Sequence, residues 1–256
     1  MLMCVDVGNT NICLGLFEDN KLIEKFRLST NAFETADEYG VKIKTLLELN
    51  NIKISSISGV IIGSVVPQVD GILERTFKKY FNINPIFVAQ GIKSGINIKI
   101  DNPKELGADL LVGAVGAVNK YGAPVLIIDM GTAITFAFVN SNKEFLGGVI
   151  AAGIKTSYSS LIANTSKLEA VKMNTPNEII GKNTINCIQN GMVYGTSSMI
   201  DGIIKRIHNQ YGDFVTVLTG GDSVLINDYL EEKVVLDEDL LFDGLRILYE
   251  KNQKNK

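Results

Sequence analysis

The feature that most constrains the fold is a pattern that occurs twice. Residues 4–26 read CVDVGNTNICLGLFEDNKLIEKF, and residues 127–149 read IIDMGTAITFAFVNSNKEFLGGV. In each, an apolar run ends in Asp-x-Gly, a second apolar run follows, and a polar turn leads into a third. Asp6 and Asp129 stand as far apart as Gly8 and Gly131, and so do the two turns. Self-similarity over half a chain predicts two similar lobes. A chain of 256 residues has room for a core in each. The repeat places the lobes at residues 1–117 and 118–256, each opening with the same hairpin, across a cleft suited to a small ligand.

Between the copies, strand and helix signals alternate, which is an α/β pattern. MCVDVG, NICLGLFE and KLIEKFRLS read as three strands, the last two joined by a turn at Asp19-Asn20. Thr35 and Glu38 form a capping-box pattern ahead of a helix with Tyr39, Ile43, Leu46 and Leu47 on one face. GVIIGSVVP reads as a buried strand, Val69 to Phe81 as an amphipathic helix and PIFVA as a short strand. Asn102, Pro103 and Glu105 predict a helix from about Pro103 towards Tyr121, with Asp109 near the end of its second turn. Thr175, Pro176 and Glu178 repeat that arrangement, and a long helical pattern covers residues 184–210. FVTVLTGG reads as a strand entering a Gly-Gly turn, and a last helix ends in a polar tail.

Composition removes several function classes. A net charge of −3 disfavours a broad basic surface for nucleic acid. No apolar run is long enough to span a bilayer, and the start carries no signal-peptide pattern. Cys4, Cys13 and Cys187 are odd in number and lack C-x-x-C spacing, so free thiols and a cytoplasmic setting are expected. His208 is the only histidine and reads as a solvated residue near a helix end. There is no P-loop, no G-x-G-x-x-G after the first strand and no G-x-S-x-G elbow, which weighs against Rossmann oxidoreductases and serine hydrolases.

What remains is a pair of Asp-Gly hairpins. Asp6 either caps a β-turn or faces a cation, because a bare carboxylate would repel phosphate. Magnesium, which keeps its waters and bridges carboxylate to phosphate, fits the second reading. Gly8 permits close backbone approach, while Asn9 and Thr10 add donors. Asp109, in ELGADLL, reads as a solvated helix residue or as a general base given room by Gly107 and Ala108. Asp37, Asp70 and Asp201 have no such context and read as surface or cap residues.

Together, DVGNTN, SVVP, NPKELGAD, DMGTAIT, GGVIAAG, GKNT and TGG resemble, in order and over nearly the whole chain, the type III pantothenate kinase family. The resemblance implies two ribonuclease-H-like lobes of the acetate kinase, sugar kinase, Hsp70 and actin superfamily. It implies phosphorylation of pantothenate by ATP with Mg²⁺, the first step towards coenzyme A, by a homodimer. Asp6, Val7, Gly8, Asn9, Thr10, Asn11, Ile12 and Cys13 would form the phosphate-binding hairpin, with Asp6 on Mg²⁺ through water. Thr132 would contact ATP, and Asp129 would hold a monovalent cation, K⁺ or NH₄⁺. Asp109 would be the base, and Ile100, Gly107, Ala108 and Leu110 would line the substrate site. Thr184 would reach pantothenate from the partner subunit, so that the site lies at the subunit interface. The departures cluster on the pantothenate side. Leu110 stands where the family has Arg, Ile100 where a Tyr is common, and Ala152 where a Pro is usual, while Ile134 replaces a Thr. They define the alternative, a non-catalytic or substrate-shifted paralogue that keeps the fold and nucleotide site.

Overall fold

The computed structural model describes residues 1–166, 174–176 and 178–253. Its compact units interleave along the chain. One holds Met1–Ile96, Asp101–Asn119 and the chain from Asp239 on; the other holds Asn97–Ile100 and Lys120–Glu238.

In the first unit, β1 (Leu2–Val7), β2 (Asn11–Glu18), β3 (Lys21–Ser29), β4 (Gly59–Ser64) and β5 (Ile86–Phe87) form a sheet in the order β3-β2-β1-β4-β5. The first three strands are antiparallel neighbours, and β4 and β5 run parallel to β1. The β2–β3 turn is the expected one: Asp19 and Asn20 take φ of 46° and 67°, a left-handed pair that these side chains tolerate and a tight hairpin needs. Alternation then sorts the strands. Met3, Val5, Val7, Ile12, Leu14 and Leu16 turn to the core under α1 (Ala36–Leu49) and α2 (Pro67–Phe81), where Tyr39, Ile43, Leu47, Leu73 and Phe77 are buried with them. The Thr35–Glu38 capping box forms as read. The opposite face carries Gly15, Gly59 and Gly63. There α7 (Leu240–Asn252) lays Phe242, Tyr249 and Leu245 where their side chains would be.

The second unit repeats the order. Strands β7 (Val125–Met130), β8 (Ala133–Val139), β9 (Glu144–Ala152), β10 (Val215–Thr219) and β11 (Val235–Leu236) run β11-β10-β7-β8-β9, with β6 (Asn97–Ile98) added beside β9. Leu126, Ile128, Ile134, Phe136 and Leu218 pack on α4 (Ile154–Ala163), α5 (Thr184–Tyr211) and α6 (Ser223–Asn227) through Ile154, Val193, Ile200, Ile204 and Ile226. Two α/β units with one strand order are the two similar lobes that the repeat predicts, and the ribonuclease-H-like architecture that the family resemblance implies. The copies differ in their turns, however. Asn140–Lys143 join β8 to β9 where two residues suffice between β2 and β3, and Asn140 Oδ1 secures the longer loop by accepting from the Asn142 and Glu144 N–H groups. The two turns therefore differ in length, although residues 142–143 stand as far beyond 19–20 as Asp129 stands beyond Asp6.

Four other expectations change. The helix expected from Pro103 is two pieces: a single 3₁₀ turn at Pro103–Glu105, then α3 (Ala108–Tyr121). Asn102 and Glu105 satisfy each other and the short turn, Leu106 is extended (ψ 117°), and Leu111 N–H donates afresh to Gly107 O. Asp109 consequently lies in the first turn of α3, not at the end of a second. No helix follows Thr175 at Glu178–Ile180. The carbonyls of Pro176, Glu178 and Ile179 accept instead from the Tyr229 hydroxyl and the Asn190 amide. Asp201 is buried, not superficial, and accepts from the N–H groups of Glu231 and Glu232. His208 is only half-exposed, with its ring stacked on Phe214 at 3.9 Å between centroids. Residues 254–256, in the expected tail, lie outside the described residues.

Candidate functional site

The first turn is built where β1 ends. Asp6, half-buried, stands in register with Cys13 of β2 and Gly63 of β4. Gly8 N–H donates to Asn11 O at 2.9 Å, which closes a turn whose tip, Asn9 and Thr10, is exposed. Thr30 Oγ1 donates to Gly8 O at 2.7 Å, and Thr30 N–H donates to Thr10 O at 3.0 Å. Val7 and Ile12 are core residues whose side chains point away from the Asp6 face, so either could meet a ligand only through its backbone.

Helix α3, which carries Asp109 in its first turn, packs on the sheet face of Asp6 through Val112. Gly63 is the cross-strand neighbour of Asp6, and a Cβ on Gly63 would touch Val112 at 3.4 Å. Asp109 lies one helical turn before Val112. It is half-buried, and Leu110 N–H donates to its Oδ1 at 2.8 Å. Burial raises its carboxyl above the ordinary aspartate value, with the N–H groups of Leu110 and of Asp109 itself pulling the other way. Gly107 has no room for a side chain, since a Cβ there would collide with Asp109 Oδ1. Ala108 and Leu110 flank it, both half-buried.

The second unit builds its own turn at the end of β7. Asp129, half-buried, is in register with Thr135 of β8 and Thr219 of β10. Met130 faces Ile134 across a turn one residue shorter than the one between Val7 and Ile12. Thr132 O accepts from Gly153 N–H at 3.0 Å and from Thr156 Oγ1 at 2.7 Å. The Gly-Gly turn after β10 folds onto the aspartate. Gly220 has φ +93°, and a Cβ there would collide with Asp129 Oδ1 and the Met130 backbone. Ser223 Oγ ties that turn down by donating to Gly220 O at 2.6 Å.

Ile100, in the second unit, follows β6 and lies beside Gly147, whose Cβ would sit 3.8 Å from Ile100 Cγ2. Thr184 is the exposed first residue of α5, behind Asn183, whose side chain caps the helix by accepting from Asn186 N–H at 2.9 Å. The three cysteines are free thiols.

The family model for type III pantothenate kinases matches residues 2–206. The chain belongs to the type III pantothenate kinase family. A type III pantothenate kinase of Exiguobacterium sp. strain AT1b is 40% identical, with 99% of this chain and 100% of that one covered. One from Bacillus cytotoxicus is 42% identical, over 98% and 97%. A solved structure from Campylobacter jejuni, assigned to the Baf family of transcriptional activators, superposes over 98% of both chains with a TM-score of 0.57 at 20% identity, a likeness of fold.

Both Asp-Gly turns and the Gly-Gly turn expected from the sequence form, and Asp109 lies on α3. Thr30 and Thr156, whose hydroxyls bond carbonyls of the two Asp-Gly turns, were not expected there. Neither stands in a local pattern that announces a long-range bond to a main-chain carbonyl.

Proposed function

We propose that this protein transfers the γ-phosphoryl group of ATP to the primary hydroxyl of pantothenate, releasing 4′-phosphopantothenate and ADP in the first step towards coenzyme A. The observation that carries the reaction is 40% and 42% identity with two type III pantothenate kinases over nearly the whole chain. Asp109 is the general base. As the hydroxyl oxygen bonds to the γ-phosphorus, its proton passes to Asp109, and the bond to the bridging oxygen breaks with its electron pair left on ADP. Burial raises the proton affinity of this carboxylate, and the helix that carries it packs on the sheet face of Asp6, which supports the role.

Residues 6–13 cradle the triphosphate through turn N–H groups and the side chains of Asn9 and Thr10. Among the described residues no three His, Cys, Asp or Glu side chains gather to hold a metal. Asp6 would hold Mg²⁺ through water, an ion that keeps several waters and accepts phosphate oxygens. When bound, Mg²⁺ offsets the charge of the triphosphate. In the second unit Asp129 offers a carboxylate beside the main chain of Met130 and Gly220, oxygen donors that suit K⁺ or NH₄⁺, and Thr132 contacts ATP. Gly107, Ala108, Leu110 and Ile100 line the pantothenate site. Thr184 serves the substrate of the other subunit in a cytoplasmic homodimer. Ile179, Ile180 and Ile185, 64%, 73% and 50% exposed around the start of α5, support an interface there. No helix among the described residues is long and apolar enough to cross a membrane.

The test is ADP release by purified protein. Turnover is expected to require pantothenate, Mg²⁺ and K⁺ or NH₄⁺ together. Asp109→Asn should cost about a hundredfold or more in kcat while ATP still binds. Pantothenate-independent turnover, or an active Asp109→Asn, sinks the reading. Leu110→Arg, run alongside, reports whether the family's arginine would improve the pantothenate pocket.

A further inference from the structure

We propose that Thr30 is a positioning residue for ATP, acting by fixing the orientation of the Gly8–Asn9 peptide. The proposal rests on the reading of residues 6–13 as the phosphate-binding hairpin. Thr30 follows the last residue of β3 and grips the turn at two points, its hydroxyl on Gly8 O at 2.7 Å and its N–H on Thr10 O at 3.0 Å. A trans peptide carries its carbonyl and its N–H on opposite sides. A hydroxyl that holds the Gly8 carbonyl on one side therefore aims the Asn9 N–H to the other, where an anion can be met. Glycine leaves this peptide free to rotate, and Asn9 is exposed at the tip. Without the hydroxyl, the peptide can turn its carbonyl oxygen outward, and a donor to phosphate becomes a repelling dipole.

The second unit supports this independently. Gly153 stands as far beyond Asp129 as Thr30 stands beyond Asp6. Its N–H makes the matching bond, to Thr132 O at 3.0 Å. Glycine has no hydroxyl to add, and at this turn one arrives from elsewhere: Thr156, in the first turn of α4, donates to Thr132 O at 2.7 Å. Both turns thus have a main-chain carbonyl held by a threonine hydroxyl, Gly8 O in the first and, in the second, Thr132 O, which also takes the Gly153 N–H; the two threonines occupy different places in the repeat. A role in the turn accounts for that better than inheritance of one residue.

The experiment compares wild type, Thr30→Val and Thr30→Ser by ATP binding calorimetry, by KM for ATP and for pantothenate, and by Tm. Thr30→Val keeps the shape and the N–H bond but lacks the hydroxyl. It should weaken ATP binding and raise the ATP KM by about tenfold, with the pantothenate KM nearly unchanged. Thr30→Ser should restore both. The proposal is overturned if Thr30→Val binds ATP like wild type, if both KM values rise together, or if Thr30→Ser is as impaired as Thr30→Val. A fall in Tm shared by both variants does not enter this comparison, because only the ATP-specific split and the serine rescue decide it. Wild type that binds no ATP would instead overturn the hairpin reading, and this proposal with it.

Discussion

At Asp109 the burial that suits a general base works against the fold. The folded chain holds this proton more tightly than an unfolded chain does, since burial raises the carboxyl pKa. Between the ordinary aspartate value and the raised native one, the folded state is protonated while the unfolded state has ionised. Stability from this group is therefore complete at acid pH and is lost as pH rises through that window. Above it, the ionised carboxylate costs stability. Asp109→Asn keeps an oxygen for the Leu110 N–H and never ionises, so it should melt higher than wild type at neutral pH and converge with it at about pH 4. Thermal melts at the two pH values test this. An equal or lower Tm at neutral pH would show that the carboxylate is not under this strain. If Asp109 is the base proposed above, its ionised form is the active one, and the acid limb of kcat/KM should lie above the ordinary aspartate value in wild type.

Elements, rather than single residues, hold the second aspartate. The turn between β10 and α6 has Gly220 at φ +93°, a conformation that side chains resist, with Asp129 Oδ1 and the Met130 backbone in the place of a Cβ. Gly220→Ala should cost about 1–3 kcal/mol of stability and weaken activation by K⁺ or NH₄⁺ more than it weakens ATP binding. Melting curves and a cation titration check this; an unchanged cation response would remove Asp129 and its glycine from that role. The comparison also shows what a sequence carries at this scale. Period-two strands, the Asp19-Asn20 turn and the Thr35–Glu38 box are local and came through, because each depends on residues that touch their own neighbours. The start of α3 did not. Asn102, Pro103 and Glu105 are sound capping residues, but they close a single turn, and Leu106 then leaves the helical region. Nothing local marks Gly107 as the second start. The two-residue strands β6 and β11 are too short for any period to show.

For the whole molecule, the repeat made the two sheets legible, while α7 shows the limit of reading in chain order. The last helix belongs to the first unit, because Gly15, Gly59 and Gly63 leave the sheet room for Phe242, Tyr249 and Leu245, a fit visible only once strands far apart in sequence are side by side. The same scale bears on the interface proposed at the start of α5. Segment 178–181 folds back on that helix, with Asn190 Nδ2 donating to Glu178 O and Ile179 O, yet Ile180 and Ile185 remain outside. Main-chain carbonyls held by Asn190 beneath exposed isoleucines support the proposed interface there, beside Thr184 at the first position of α5. A charge placed there should separate subunits without unfolding them. Ile180 is 73% exposed, so Ile180→Glu should change the stability of one subunit by no more than about 0.5 kcal/mol. On the proposed dimer, it should give a monomer by light scattering and raise the pantothenate KM while ATP binding stays near wild type, because in that reading only the pantothenate site borrows a residue across the interface. A variant that stays dimeric, or a monomer that handles pantothenate as well as wild type, would place the interface or the role of Thr184 elsewhere.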